Sequence, residues 1–307
     1  MRELAAVGYG FTTPVPTTYR RLALLRRREH AEARNLVDIF GWNLPFRPEL
    51  IAPRVLELMR EGAFLHPLPA RGSFRSGLRV GSVGDALYLH SPFPAPDAHA
   101  VFFGPDSYRF VEFIRAEMER APSPGAILDI GTGSGVGGLF AWSRARAAHL
   151  TLSDINPLAL QLAKVNAAFQ GASPDLVLCS GVPAAGEGFD LIVADPPYVG
   201  GRSEPVYSRG GGERGEALAL RWLEEALPRL RPGGRMLLYT GVAIVGGRDL
   251  VKAAFEAICA TAGCASSYCE LDPDIFPSLL LKPDYWGVDR VAAVGAVAVA
   301  PGAPKEP

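Results

Sequence analysis

Asp195-Pro196-Pro197-Tyr198 ends the apolar run Phe189 to Ala194, so a carboxylate, two prolines and a ring follow a stretch that has the character of a buried strand. The prolines fix their own φ and donate no backbone N–H, which holds Asp195 and the adjoining carbonyls at a strand end. Asp195 and the Pro196 carbonyl are acceptors suited to an NH2 group. In an amide or a base's exocyclic amine the nitrogen lone pair is delocalised. Two acceptors drawing the hydrogens out of plane would localise that pair and aim it. Tyr198 offers a ring to stack on a planar group, an interaction worth roughly 1–3 kcal/mol for a base. A plain strand-to-loop corner with an incidental tyrosine is the other reading of the same residues.

A second constellation lies upstream. Ala126-Ile-Leu-Asp129-Ile-Gly131-Thr132-Gly133-Ser-Gly135 is an apolar strand entering a glycine loop, with a helical pattern after it. Glycines let the backbone approach a ligand, and the helix that follows offers its N-terminus. Asp154 comes 23 residues after Gly131, about where a β-α-β unit places a carboxylate to accept ribose hydroxyls. An adenosine-containing ligand is expected.

The elements that position these residues follow from periodicity and punctuation. Strands are predicted at 126–130, 149–154, 176–180, 189–194 and 235–239, with two more at 266–271 and 291–300. Helices are predicted at 139–147, at 158–169 with Leu160, Leu162 and Val165 inward, and at 216–230 and 249–262. The glycine-rich Arg209 to Gly215, which includes Glu213, reads as a mobile cover or as a surface loop. Before residue 121 the pattern differs. A helix is expected from Tyr19 to Phe40, capped by Thr17 and Thr18, with Leu22, Leu25, Leu36, Val37 and Ile39 buried. A second is expected from Pro48 or Glu49 to Arg60. Ser76 to His90 alternates about Gly84-Asp85 and predicts a β-hairpin. A further helix ends near Met118, and Ala121 to Gly125 reads as a linker. The expectation is a small N-terminal α+β domain of winged-helix-like character over 1–120 and an α/β, Rossmann-like domain over 121–307.

Hydrophobic residues make up 48% and charged residues 21%, an ordinary globular balance, and the net charge is −1. Residues 1–82 hold thirteen arginines against seven acidic residues, a balance of +6, which leaves −7 for the remainder. Arg20, Arg21, Arg26, Arg27 and Arg28 form either a phosphate-contacting face or a solvated one. Cys179, Cys259, Cys264 and Cys269 form no CxxC pair, so neither a metal site nor a disulfide framework is indicated. The first residues lack the layout of a signal peptide and the apolar tail is too short for a bilayer span, so a cytoplasmic enzyme without membrane association is expected. His99 and Asp106, beside the linker, and Tyr285-Trp286 are minor candidates for the site.

Together, Leu128-Asp-Ile-Gly-Thr-Gly-Ser-Gly, Ser153-Asp-Ile-Asn-Pro-Leu-Ala-Leu with Asn166 downstream, Asp-Pro-Pro-Tyr and Leu230-Arg-Pro-Gly-Gly resemble the class I S-adenosylmethionine-dependent methyltransferases. The resemblance covers about Ala121 to Ala300 and is to the small-domain group, which includes HemK-like protein-glutamine and ribosomal RNA guanine-N2 enzymes. It implies a seven-stranded sheet whose last strand is antiparallel. It also implies S-adenosyl-L-methionine as cofactor, with Asp129, Gly131, Thr132, Gly133 and Gly135 along its methionine part. Asp154 and Ile155 would lie at the ribose and beyond it, Ser180 and Gly181 near the adenine, and Asp195 would border the cofactor. Asp195, Pro196, Pro197 and Tyr198 would hold the target nitrogen for direct in-line attack on the methyl group, without a metal.

Three departures stand out. HemK-like enzymes usually begin the tetrapeptide with Asn where this chain has Asp195, and Asp-Pro-Pro-Tyr is also seen in adenine-N6 and guanine-N2 enzymes, which weighs against a glutamine substrate. Many relatives place an acidic residue near the adenine amine where Ser180-Gly181 stand, and an N-terminal module with a β-hairpin differs from the all-helical substrate domain of the glutamine enzymes. A macromolecular substrate, RNA, DNA or protein glutamine, is expected. A small-molecule methyltransferase and a non-catalytic cofactor-binding protein are the alternatives.

Overall fold

Continuous apolar strands need cover on both faces, and the helices between them supply it. The computed structural model describes residues 1–28, 32–69, 72–92, 99–184, 188–200, 209–212 and 214–302. The N-terminal part contributes α1 (Arg2–Ala6), α2 (Pro16–Arg28), α3 (Pro53–Glu61), β1 (Leu65–Leu68), β2 (Ser73–Ser76), β3 (Arg79–Val83) and β4 (Ala86–His90). After α4 (Pro105–Met118) come β5 (Ala126–Ile130), α5 (Val136–Arg144), β6 (His149–Asp154), α6 (Pro157–Gln170), β7 (Asp175–Leu178) and β8 (Phe189–Ala194). The chain continues through α7 (Ala217–Ala226), β9 (Leu230–Val245), β10 (Arg248–Asp249), α8 (Lys252–Thr261), β11 (Ala265–Asp272) and β12 (Arg290–Val299).

The large sheet has the strand order β11-β12-β9-β8-β5-β6-β7. Strands β9, β8, β5, β6 and β7 run parallel, and β12 is antiparallel to both neighbours. The expected seven strands are therefore present, and β10 adds a two-residue antiparallel pairing on β9. Strand order reverses between β5 and β8, where Ile130 pairs with Ala194. Open α/β sheets bind ligands outside the strand C-termini at such a reversal. Gly131 and Asp195, the next residue of each strand, lie there.

Leu128, Ile192 and Met236 on one sheet face pack with Trp222 and Leu223 of α7 and Phe255 of α8. On the other face Ile127, Val193 and Leu237 pack with Phe110 and Ile114 of α4 and Leu139 of α5. Helix α4, although before residue 121, is thus part of the sheet's core.

The N-terminal residues have a core of their own, including Ile39, Phe46, Met59, Val80 and Leu87, with Phe169 of α6 against it. The predicted Ser76–His90 hairpin is the β3–β4 pair, while β1–β2 is a second, separate two-stranded sheet. Asn166 of α6, fully buried, fastens the hairpin: its Oδ1 accepts from Leu89 N (2.8 Å) and its Nδ2 donates to the Leu89 and Ser134 carbonyls (3.1 and 2.8 Å).

The helix expected from Tyr19 to Phe40 is divided. It starts at Pro16, which places Thr17 and Thr18 inside its first turn, and α2 ends at Arg28. A separate π-helical turn covers Val37–Gly41. Asn35 Oδ1 accepts from Asp38 N and Asp38 Oδ2 from Arg34 N, local bonds that compete with continuous helix. Leu25 and Val165, expected inward, are exposed. Of the basic residues on α2, the side chains of Arg20, Arg26, Arg27 and Arg28 lie outside the described residues, as does Glu213. Among the described residues no helix is long and apolar enough to cross a membrane.

Candidate active site

The loop after β5 turns by left-handed glycines, with φ of 66° at Gly131, 55° at Gly133 and 85° at Gly135. These angles strain a residue with a Cβ. A methyl group at Gly131 would also overlap the Trp222 ring, whereas at Gly133 it would meet only Val101, 3.8 Å away. The loop is therefore packed at its first glycine and open at its second. Asp129, buried at the end of β5, organises the turn: its Oδ2 accepts from the Thr132 hydroxyl (2.6 Å) and from Gly138 N in the first turn of α5 (2.8 Å). Burial pushes its carboxyl up to about 7 despite those two bonds.

Asp154 ends β6 beside this loop. Its Oδ2 accepts from Gly133 N (2.9 Å) and its Oδ1 from Asn156 N (2.8 Å). Burial raises its pKa. Ile155, next in the chain, is 61% exposed and presents an apolar surface. Ser180 is exposed, but Gly181 is buried and turned against α7, where an added Cβ would run into Glu225. The Gly181 carbonyl accepts from Ser153 Oγ (3.2 Å). Of that pair, only Ser180 presents a side chain to solvent.

At the reversal point Asp195 is half-buried, and its carboxylate has no hydrogen-bond partner among the described residues. Burial, then the negative charges of Asp106 and Asp129, push it well above the ordinary carboxylate range. Its acceptor atoms are thus left for a ligand. Pro196 is buried and Pro197 half-buried. Tyr198 is only 8% exposed; its ring lies against Gly241 of β9 and 6.2 Å from the Phe276 ring, and its hydroxyl donates to Asp106 Oδ2 (2.8 Å). The other Asp106 oxygen accepts from the Tyr239 hydroxyl (2.7 Å) and Arg109 Nη1 (3.3 Å). Arg109 Nη2 reaches Asp272 at the end of β11 (2.7 Å).

Beyond Tyr198 the backbone is fastened again. Gly200 N donates to the Tyr285 hydroxyl (2.9 Å) and Gly210 N to the Val199 carbonyl (3.0 Å). Gly210 and Gly215, from the segment read as a cover, pack against the backbone of Pro197 and Tyr198. Tyr285 is buried and Trp286 is 73% exposed, so the two adjacent aromatics face different ways. Sequence reasoning gave Asp106 only minor weight and missed Tyr239, Gly241, Phe276 and Trp222, which no short-range spacing links to Tyr198.

With this geometry in place, comparison decides the family. The methyltransferase small domain family matches residues 111–263. The chain carries a methyltransferase small domain. Over this region it is 32% identical to the release factor glutamine methyltransferase of Deinococcus radiodurans, along 152 residues that are 46% of this chain and 54% of that protein. The protein of the same description from Koribacter versatilis is 34% identical along 146 residues, 43% of this chain and 52% of the other. The chain thus spans about half the length of these curated relatives. The T. thermophilus 16S rRNA N2 G1207 methyltransferase, solved with AdoMet and guanosine, superposes with a TM-score of 0.47 at 16% identity, covering 84% of this chain and 64% of that one.

The site residues fit S-adenosyl-L-methionine. The open face at Gly133 admits a ligand close to backbone, Asp154 retains lone pairs for hydroxyls, and exposed Ile155 offers apolar area to a flat ring. A sulfonium would find the carboxyls of Asp154 and Asp195 at the ends of β6 and β8, on either side of the loop that the buried Asp129 braces.

Proposed function

We propose that this protein is an N-methyltransferase of the cytoplasm that transfers the methyl group of S-adenosyl-L-methionine to a planar NH2 nitrogen of a macromolecule, with a protein glutamine side chain as the favoured acceptor. The observation that carries the reading is the Asp195 carboxyl, without a hydrogen-bond partner among the described residues, at the sheet's reversal point, beside the glycine loop and next to two prolines without N–H. The cofactor supplies an electrophilic methyl group. This chain's residues hold the nucleophile. The Asp195 oxygen and the Pro196 carbonyl accept from the amide hydrogens, localise the lone pair and point it towards the glycine-loop side. Holding two reactants in attack geometry contributes about 7–11 kcal/mol to a reaction of this kind.

Glutamine is favoured over a nucleobase for two reasons. The relatives matched at 32% and 34% identity are described as glutamine methyltransferases. Burial and the charges of Asp106 and Asp129 also shift Asp195 towards its protonated form, which presents one O–H donor and one C=O acceptor, as an asparagine amide presents N–H and C=O, and would complement both ends of a primary amide. The residues before 121, with their balance of positive charge, are proposed to recognise the substrate.

The test is incorporation of labelled methyl groups from S-adenosylmethionine by wild type and Asp195→Ala. The variant is expected to lose incorporation on the order of 10²–10³-fold, as for removal of one oriented polar group in an active site, while binding S-adenosylhomocysteine within about twofold of wild type. Parallel loss of cofactor binding contradicts the role assigned to Asp195.

A further inference from the structure

The chain past β8 has a mechanical difficulty. The β8 ladder ends at Ala194, Pro196 and Pro197 have no N–H to donate, and backbone pairing resumes at Val199 with Arg209 and Gly210, so no ladder donor from the prolines fixes the tip between them. The Tyr198 hydroxyl makes the first side-chain hydrogen bond after the strand, and it is made to Asp106. We propose that Asp106 is the positioning residue of the acceptor site: it holds the Asp195–Tyr198 tip in its working position through the Tyr198 hydroxyl.

Asp106 is 3% exposed, and its acceptor capacity is directed at this task. Oδ2 takes Tyr198; Oδ1 takes Tyr239 and Arg109. A buried carboxylate is costly unless bonded in this way. Tyr239 and Gly241 are two residues apart on β9 and so face the same side of the sheet. The strand thus offers a hydroxyl to Asp106 at one position and, two residues on, a surface without a side chain against which the Tyr198 ring lies. The ring is fixed at its face by β9 and at its hydroxyl by α4. Arg109, one turn along α4, extends the anchorage to Asp272 on β11.

Asp106 does not touch the reacting groups; it acts through Tyr198. It also lies outside residues 111–263, the region that matches the methyltransferase small domain family. The inference rests on the methyl-transfer reading, and the experiment separates the two. Tyr198→Phe, Asp106→Asn and the double variant are compared with wild type for kcat of methyl incorporation, and for the Kd of S-adenosylhomocysteine by calorimetry. Tyr198→Phe removes one oxygen and leaves Asp106 bonded to Tyr239 and Arg109, so this variant folds. Each single substitution is expected to lower kcat about tenfold or more with Kd within about twofold. The double variant is expected to be no worse than the more impaired single variant, because both changes act through the same Tyr198–Asp106 contact, the Asn variant disturbing the Tyr239 and Arg109 bonds as well. Multiplying single effects in the double variant, unchanged kcat in either single, or a parallel rise in Kd overturns the positioning role while leaving methyl transfer standing. Absence of transfer by the wild-type protein overturns the functional reading and this inference with it.

Discussion

Asn166→Ala tests how the N-terminal hairpin is held to the catalytic unit. The side chain is 0% exposed and makes three hydrogen bonds, one to Leu89 N and two to the carbonyls of Leu89 and Ser134. Truncation leaves those backbone groups without their partner, at about 1–3 kcal/mol for each that water cannot reach. Leu89 is half-buried, so its groups recover part of that through hydration, whereas the bond to Ser134 is buried. The expected loss is about 2–4 kcal/mol, which for a chain of this size lowers the thermal midpoint by roughly 3–6 °C. Differential scanning calorimetry on wild type and variant reads it. Asn166→Asp sharpens the test because it preserves shape while aiming a carboxyl oxygen at two carbonyl oxygens. That carboxyl has a folded pKa above its unfolded one, so the variant's deficit shrinks as pH falls and grows as pH rises. A midpoint for Asn166→Ala within about 1 °C of wild type would refute the reasoning, as would a pH-independent deficit for Asn166→Asp.

Gly131→Ala places a Cβ at φ 66° and against Trp222; left-handed strain of about 1–2 kcal/mol adds to the overlap, so both urea stability and cofactor affinity should fall, and an unchanged midpoint contradicts the packing described. Asp154→Ala should weaken S-adenosylhomocysteine binding tenfold or more by calorimetry, while equal affinity removes Asp154 from the cofactor site. Asp129, raised by burial to about 7 when folded, carries an unfavourable charge above that pH, and protonation relieves it between the folded value and the ordinary carboxylate range. Ligand-free protein should therefore gain stability as pH falls from about 8 to about 5.5, and Asp129→Asn should show less of that gain; a pH response identical to wild type contradicts the assignment. Because burial and the charges of Asp106 and Asp129 raise the Asp195 carboxyl, wild-type activity should decline as rising pH ionises it, and Asp195→Asn should retain much of the transfer to an amide acceptor without that decline; complete inactivity of the variant speaks for an ionised carboxylate acting on another acceptor.

The sheet was legible because its strands are apolar runs ended by strong punctuation: Gly131 after β5, Asp154 after β6, the two prolines after β8. Local signals of that kind fix strand, loop and helix within a few residues. The helix predicted over Tyr19 to Phe40 failed for a reason periodicity does not carry, namely that Asn35 and Asp38 bond the backbone around them. The β1–β2 hairpin, with Pro67 within a four-residue strand, lacks the alternation that revealed β3–β4. Within the site, the glycine loop, Asp154 and Asp195 stand out by residue type and spacing. The support beneath them does not. Asp106 is separated by 92 residues from Tyr198 and by 133 from Tyr239, so only the fold brings the three together. The same holds for Trp222 beneath Gly131, which in sequence is one of several apolar positions on α7.

The central claim is tested most directly by locating the transferred methyl group. Purified protein and labelled S-adenosylmethionine are added to an extract lacking this protein, the products are divided between nuclease and protease digestion, and the labelled fraction is analysed by mass spectrometry. The account predicts protease-sensitive label that resolves to a methylated glutamine side chain, absent with Asp195→Ala. Nuclease-sensitive label on a base, or no label despite measured cofactor binding, would contradict it.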